Sequence, residues 1–195
     1  MAEVPSTFRL ERGAQAPDFT LPDGHGAVHS LASLAAGQGA IVVAFVCNHC
    51  PYVVHLADAL GDCARDYSAR GATFIAIASN DVANYPDDAP ERMPAFAMRH
   101  GWDFPYLYDE SQAVAKAYAA ACTPDFYLFD TDLKLAYAGQ FDASRPGQGG
   151  AIDGADLRRA LDAVLAPGAG PDNAWIPSTG CNIKWKPGNA PDYFR

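Results

Sequence analysis

Cys47 and Cys50 stand two residues apart in Val43-Ala44-Phe45-Val46-Cys47-Asn48-His49-Cys50-Pro51-Tyr52, where a strand-like apolar run gives way to a helix start. Two thiols at this spacing on a first helical turn can close into a disulfide, and the free amides and positive dipole end of the helix favour a thiolate. The chemistry this predicts is exchange between dithiol and disulfide. An ordinary thiol of pKa ~8.5 is only a few per cent ionised at neutral pH, and a two-unit shift amounts to about 2.7 kcal/mol. A helix end supplies at most ~1–2 kcal/mol of that, so His49 or nearby amides are expected to add to it.

The elements that must position the pair are read from periodicity. Ala40 to Val46 and Thr73 to Ser79 are continuous apolar runs of buried-strand type. Between them Pro51 to Arg70 is predicted as a helix, with Leu56, Leu60, Cys63 and Tyr67 on one face. A strand–helix–strand unit follows, and it places the C-x-x-C at the carboxyl end of a core strand, where open α/β sheets put their sites. Ala16–Leu21 and Val28–Leu31 read as a strand pair, and Asp88-Ala89-Pro90-Glu91 as the start of a helix running to His100-Gly101. Phe104–Tyr108 is predicted as a strand, Ser111–Ala121 as a helix, Asp125–Phe129 and Leu133–Ala138 as a hairpin, and Asp153–Leu165 as a last amphipathic helix. Ala143–Gly150 reads as a loop, and from Pro167 onward Pro and Gly recur too often for regular structure.

Composition bounds the reading. The chain has 195 residues, 49% hydrophobic and 19% charged, which suits one ordinary domain with a substantial core. Fourteen basic against 23 acidic residues give a net charge of −9, which argues against nucleic acid and anionic membranes as partners. Met1–Leu10 lacks the apolar core of a secretory signal and no segment is long enough to span a bilayer, so a cytoplasmic setting is expected. Five cysteines are too few and too uneven for a disulfide framework; catalytic or metal-binding thiols are the better readings.

The order of elements, with C-x-x-C after the first core strand and Thr123-Pro124 before a later one, resembles the thioredoxin fold over roughly Ala14 to Leu165. Ala16-Pro17-Asp18-Phe19-Thr20-Leu21 and the stretch from Phe104 to Asp130 are similar to the AhpC/TSA (peroxiredoxin) and TlpA/ResA-like branch, and within it to a peroxiredoxin-like group with C-x-x-C and a tail of the type Gly180-Cys181-Asn182-Ile183-Lys184-Trp185-Lys186. The resemblance implies a three-layer α/β/α fold with a mixed central sheet, an N-terminal extension and an irregular C-terminal tail. Residues 1–166 would form the domain and 167–195 a tail packed on it. It further implies Cys47 as nucleophile, Cys50 as the thiol that resolves the mixed disulfide, and Pro124 as a cis proline facing both sulfurs, with Thr123 beside them.

Two positions depart from that pattern. The buried acid of thioredoxins, six residues before the first cysteine, is Ile41 here. Aligning Cys50 with a peroxidatic cysteine puts Cys47 where peroxiredoxins carry Thr and leaves no matching Arg. The reading is therefore a thiol–disulfide oxidoreductase cycling Cys47 and Cys50, with no bound cofactor required. Its partners would be a disulfide-containing protein or small molecule and an external thiol reductant, and the protein would be a monomer or homodimer. The alternatives are a peroxidase with Cys50 peroxidatic and Cys47 resolving, a Zn or Cu(I) protein using Cys47, His49, Cys50 and Cys122 or Cys181, and a thioredoxin-like binding scaffold. Cys63 lies on the apolar helix stripe and reads as structural. Cys122, next to Thr123-Pro124, and Cys181, in the tail, are additional redox candidates. His25, His29, His55 and His100 show no ligand spacing, and Tyr52 and Trp102 read as core.

Overall fold

The computed structural model describes residues 3–166 and 175–194; the first part of the tail expected from residue 167 lies outside the described residues. In chain order the strands and helices are β1 (Glu3–Pro5), β2 (Thr20–Pro22), β3 (Val28–Ser30), α1 (Leu31–Ala35), β4 (Ala40–Phe45), α2 (Pro51–Ser68), β5 (Ala72–Ala78), α3 (Met93–Arg99), β6 (Tyr106–Tyr108), α4 (Ala113–Ala117), β7 (Cys122–Thr123), β8 (Asp125–Asp130), β9 (Leu135–Gly139), α5 (Ala155–Leu165) and β10 (Thr179–Asn182). Five of the strands form a central mixed sheet in the order β6-β5-β4-β8-β9. β4 runs parallel to β5 and antiparallel to β8, so the strand that leads into the C-x-x-C is the innermost one.

Alternation along β4 explains the layers. Val42 and Ala44 point into one apolar core with α2 and α5, while Ile41, Val43 and Phe45 point into a second with Leu31 of α1 and Val114 of α4. Both faces are covered, which is why β4 is apolar at every position. The result is the expected α/β/α stack. In α2 the predicted stripe of Leu56, Leu60, Cys63 and Tyr67 is buried, joined by Val53, Ala57 and Ala64.

Three elements differ from the sequence expectation. The stretch after Asp88 opens as two short 3₁₀ turns, Pro86–Asp88 and Pro90–Arg92, and becomes α-helical only at Met93; Asp88 is engaged elsewhere and does not cap it. The helix expected over 111–121 shrinks to α4, because Gln112 and Ala119 adopt left-handed φ of 62° and 52° on either side of it. The tail contains a strand. β10 lies between β1 and β7 in a separate antiparallel sheet, with Cys181 opposite both Glu3 and Thr123. The rest of the described tail is without strand or helix. It is tied to the body by Lys184, whose amide donates to Asn80 Oδ1 and whose carbonyl accepts from the amide of Asp81.

Candidate redox site

Strand β4 ends at Phe45, and the backbone is still held at Val46, whose amide donates to Ile77 O. Cys47 follows, and Cys50 is the N-cap residue of α2 with Pro51 in the first turn. Proline there forfeits no intrahelical bond and sets φ for the helix, so the turn is fixed immediately after the second cysteine. Both residues are buried, Cys47 at 1% and Cys50 at 0% exposure. Thr123 holds both sulfurs: Cys47 Sγ lies 3.5 Å from its Oγ1, and Cys50, in its thiol form, donates to its carbonyl at 3.1 Å. The Thr123–Pro124 bond is cis. The sequence thus brings together Cys47, Cys50, Thr123 and Pro124, residues separated by more than 70 positions.

The two thiols are pushed in opposite directions. The Cys47 thiol hydrogen-bonds to Cys50 and, with Thr123, the Val53 amide and Cys181, outweighs burial and holds Cys50 down at about 5. Cys47 goes the other way, pushed well above the ordinary thiol range by burial, by its bond to Cys50 and by the negative Asp88. The thiol held low is Cys50, whereas the resemblance implies Cys47 as the nucleophile. The cause is local: Cys50 is favoured as the anion by Cys47, Thr123 and the Val53 amide, while Cys47 is buried in the field of a carboxylate.

That carboxylate was not singled out as a site residue by sequence. Asp88 is fully buried. Its Oδ1 accepts from the amides of Asn48 at 2.8 Å and His49 at 3.2 Å, and its Oδ2 from Asn80 Nδ2 at 2.8 Å and His49 Nδ1 at 2.6 Å. Burial alone would raise the Asp88 carboxyl, but these bonds hold it below its usual value; the bond to Asp88 in turn raises His49. His49 thus stands between the cysteines as one half of an ion pair, its ring stacked on Tyr85 at 5.6 Å, with Lys184 Nζ 5.7 Å from the far ring's centroid. No pattern near Asp88 advertises this, since its partners Asn48 and His49 are 40 and 39 residues away.

Cys47, His49 and Asp88 offer three ligand atoms within 4.8 Å of one another. Asp88 already accepts four hydrogen bonds, however, so a metal would have to displace donors that Asn48, His49 and the buried Asn80 supply. The constellation fits an ion pair better than a coordination site.

Residues 12–138 match the AhpC/TSA family. The chain belongs to the AhpC/TSA family. A Mycobacterium tuberculosis protein named "Putative peroxiredoxin Rv2521" is 32% identical over 114 residues, covering 58% of this chain and 67% of that protein. An uncharacterized conserved protein from Geobacillus kaustophilus is 49% identical with a TM-score of 0.91, covering 96% of this chain and 98% of the other. A Chlorobium tepidum protein described as a "putative Thiol:disulfide interchange protein DsbE" is 21% identical with a TM-score of 0.64, covering 80% of this chain and 99% of the other, and shows the thioredoxin-like fold alone.

In this AhpC/TSA chain the other three cysteines have separate environments. Cys63 lies inside the α2 stripe, pushed up to about 12 by burial, as its structural reading predicts. Cys122 donates to Pro124 O at 3.5 Å, and burial followed by Asp125 raises it well above the ordinary range. Cys181 faces Thr123 across the β10–β7 ladder; burial and then its bond to Cys50 raise it to about 12. Ile41, in the place of the thioredoxin acid, belongs to the apolar core on the far sheet face. Trp102 is core, its Nε1 donating to Ala57 O at 2.8 Å.

Gly180 makes the close approach of β10 possible. A β-carbon there would overlap Thr123 O and its carbonyl carbon. Gly180→Ala is expected to push β10 off β7 and to destabilise the protein by about 1–3 kcal/mol, the usual cost of overpacking against backbone; urea denaturation measures it, and an unchanged midpoint would contradict the contact.

Among the described residues no helix is long and apolar enough to cross a membrane.

Proposed function

We propose that this protein is a thiol–disulfide oxidoreductase in which Cys50 and Cys47 alternate between dithiol and disulfide. The observation that carries this is the pair itself: two buried sulfurs on one threonine at a helix N-terminus, with Cys50 held low and Cys47 pushed high. The Cys50 thiolate attacks a substrate disulfide, forming a mixed disulfide and releasing one thiolate. Cys50 then no longer carries the charge that helps to raise Cys47, so Cys47 can give up its proton. Cys47 attacks the Cys50 sulfur, the second substrate thiolate leaves, and the Cys47–Cys50 disulfide remains. An external thiol reductant restores the pair by the reverse exchange. The substrate is a disulfide-bearing protein or small molecule, and a cytoplasmic setting would favour the reductase direction.

A second reading is supported by the family and by the thiolate at the helix start: peroxide oxidises Cys50 to a sulfenic acid, and Cys47 condenses with it, releasing water. One experiment separates the two. Reduced protein is mixed with oxidised glutathione or with hydrogen peroxide, quenched with iodoacetamide and mapped by peptide mass. Exchange predicts rapid Cys47–Cys50 disulfide with glutathione and slow reaction with peroxide; the reverse order of rates would replace the first reading with the second.

A further inference from the structure

Thr123 gathers a third cysteine. Its Oγ1, which meets Cys47 Sγ at 3.5 Å, also donates to the carbonyl of Cys181 at 3.5 Å. Its own carbonyl lies 3.1 Å from Cys50 Sγ and also against Gly180, where a β-carbon would overlap it. Cys181 is the direct antiparallel partner of Thr123, so its side chain lies on the sheet face from which Thr123 reaches the sulfurs. Cys47, Cys50 and Cys181 fall within one apolar cluster, from which Cys122 is absent. The side chains of adjacent strand residues point to opposite faces, which turns Cys122 away from the face that Thr123 shares with the pair.

We propose that Cys181 is a second resolving thiol, so that the disulfide formed at Cys47–Cys50 passes to Cys50–Cys181 at the edge of the site. This rests on the exchange reading above. Cys181 deprotonates and attacks Cys50 Sγ; the Cys50–Cys47 bond breaks, Cys47 leaves as thiolate and takes up the proton. One disulfide and one thiol stand on each side of the step, and no outside oxidant is needed. Two features support the direction. Loss of the Cys50 charge in the disulfide removes one of the two effects that hold Cys181 protonated, and Lys184 already opposes them. Cys181 is buried like the other two but lies on the tail strand between β1 and β7, so the transfer carries the oxidised bond off the C-x-x-C and onto that strand. The tail strand is held in register on both sides, by β1 and by β7, which keeps Cys181 beside Thr123.

The test uses oxidised glutathione on the full-length protein and three variants, each mapped by peptide mass after alkylation. Wild type is expected to give Cys47–Cys50 together with Cys50–Cys181, and Cys181→Ser only the first. Cys47→Ser is expected to convert nearly all protein to Cys50–Cys181 with release of glutathione, whereas Cys47→Ser with Cys181→Ser should hold one glutathione on Cys50. If Cys47→Ser keeps glutathione on Cys50 while Cys181 stays open to alkylation, and wild type shows no Cys50–Cys181, the third thiol is excluded and the exchange reading survives. If wild type forms no Cys47–Cys50 disulfide and takes no glutathione on Cys50, the exchange reading falls, and this inference with it.

Discussion

Cys50→Ser is expected to abolish disulfide exchange altogether, whereas Cys47→Ser should complete the first attack and lose steady-state turnover through the C-x-x-C. The pH profile carries the sharper test. A Cys50 thiol at about 5 rather than the ordinary 9.0 is almost wholly ionised at neutrality, so its alkylation by iodoacetamide should be nearly flat from pH 6 to 8. A thiol at the ordinary value would react about 100-fold faster at pH 8 than at pH 6, tenfold per unit below its pKa. The gain in thiolate does not by itself make Cys50 a faster nucleophile, because intrinsic nucleophilicity falls by about half a log unit per pKa unit, which offsets most of the increase in ionised fraction. What remains is leaving-group quality: Cys50 departs as a stable anion whenever a thiol attacks the other sulfur of its disulfide, as in reduction from the partner side or reversal of the first attack. Alkylation that falls mainly on Cys47 over this range, or an alkaline midpoint at Cys50, would overturn the assignment.

The largest stability effect is expected at Asp88. Asp88→Ala leaves two backbone amides, the Asn80 amide and His49 Nδ1 without their common acceptor in a buried site. Removing one partner of a buried charged pair costs roughly 3–5 kcal/mol, and Asp88→Asn, which retains the shape, should cost less. The loss should depend on pH. The Asp88 carboxyl is held below its usual 3.8, so its contribution is complete above that value and disappears as pH falls through the lower folded value. His49 is held above its usual 6.5, so its contribution is complete below 6.5 and disappears as pH rises through the higher folded value. The difference between wild type and Asp88→Ala in urea should therefore be widest from about pH 4 to 6.5. A difference that does not vary between pH 5 and 9 would remove His49 from the pair.

What the sequence made legible was local in origin. Ala40–Phe45 and Ala72–Ala78 are apolar at nearly every position because both sheet faces are covered, and the α2 stripe follows from a single buried side. The C-x-x-C could be placed at a strand end because both neighbours are strong periodic signals. Pro124 was placed beside the sulfurs only through the family resemblance. Asp88 was hidden by its own context: an acidic residue shortly before Pro90 looks like a helix start, and nothing nearby reveals a histidine 39 residues back. β10 was hidden for the same reason, since Thr179–Asn182 has no strand-like composition and is a strand only because β1 and β7 flank it. The charge order within the pair depends on the Val53 amide, on Asp88 and on Cys181, which spacing does not specify.

The stitch between Lys184 and Asn80 also sets a timetable for synthesis. Asn80 orients Asp88, and Lys184 holds Asn80 from 104 residues downstream. At translation rates of about 5–20 residues per second, that distance is roughly 5–20 s. Through this interval the nascent chain carries Cys47 and Cys50 without β10 over them and without the bond that steadies Asn80. The thiols are therefore most open to oxidants on the ribosome, before the protein can use them.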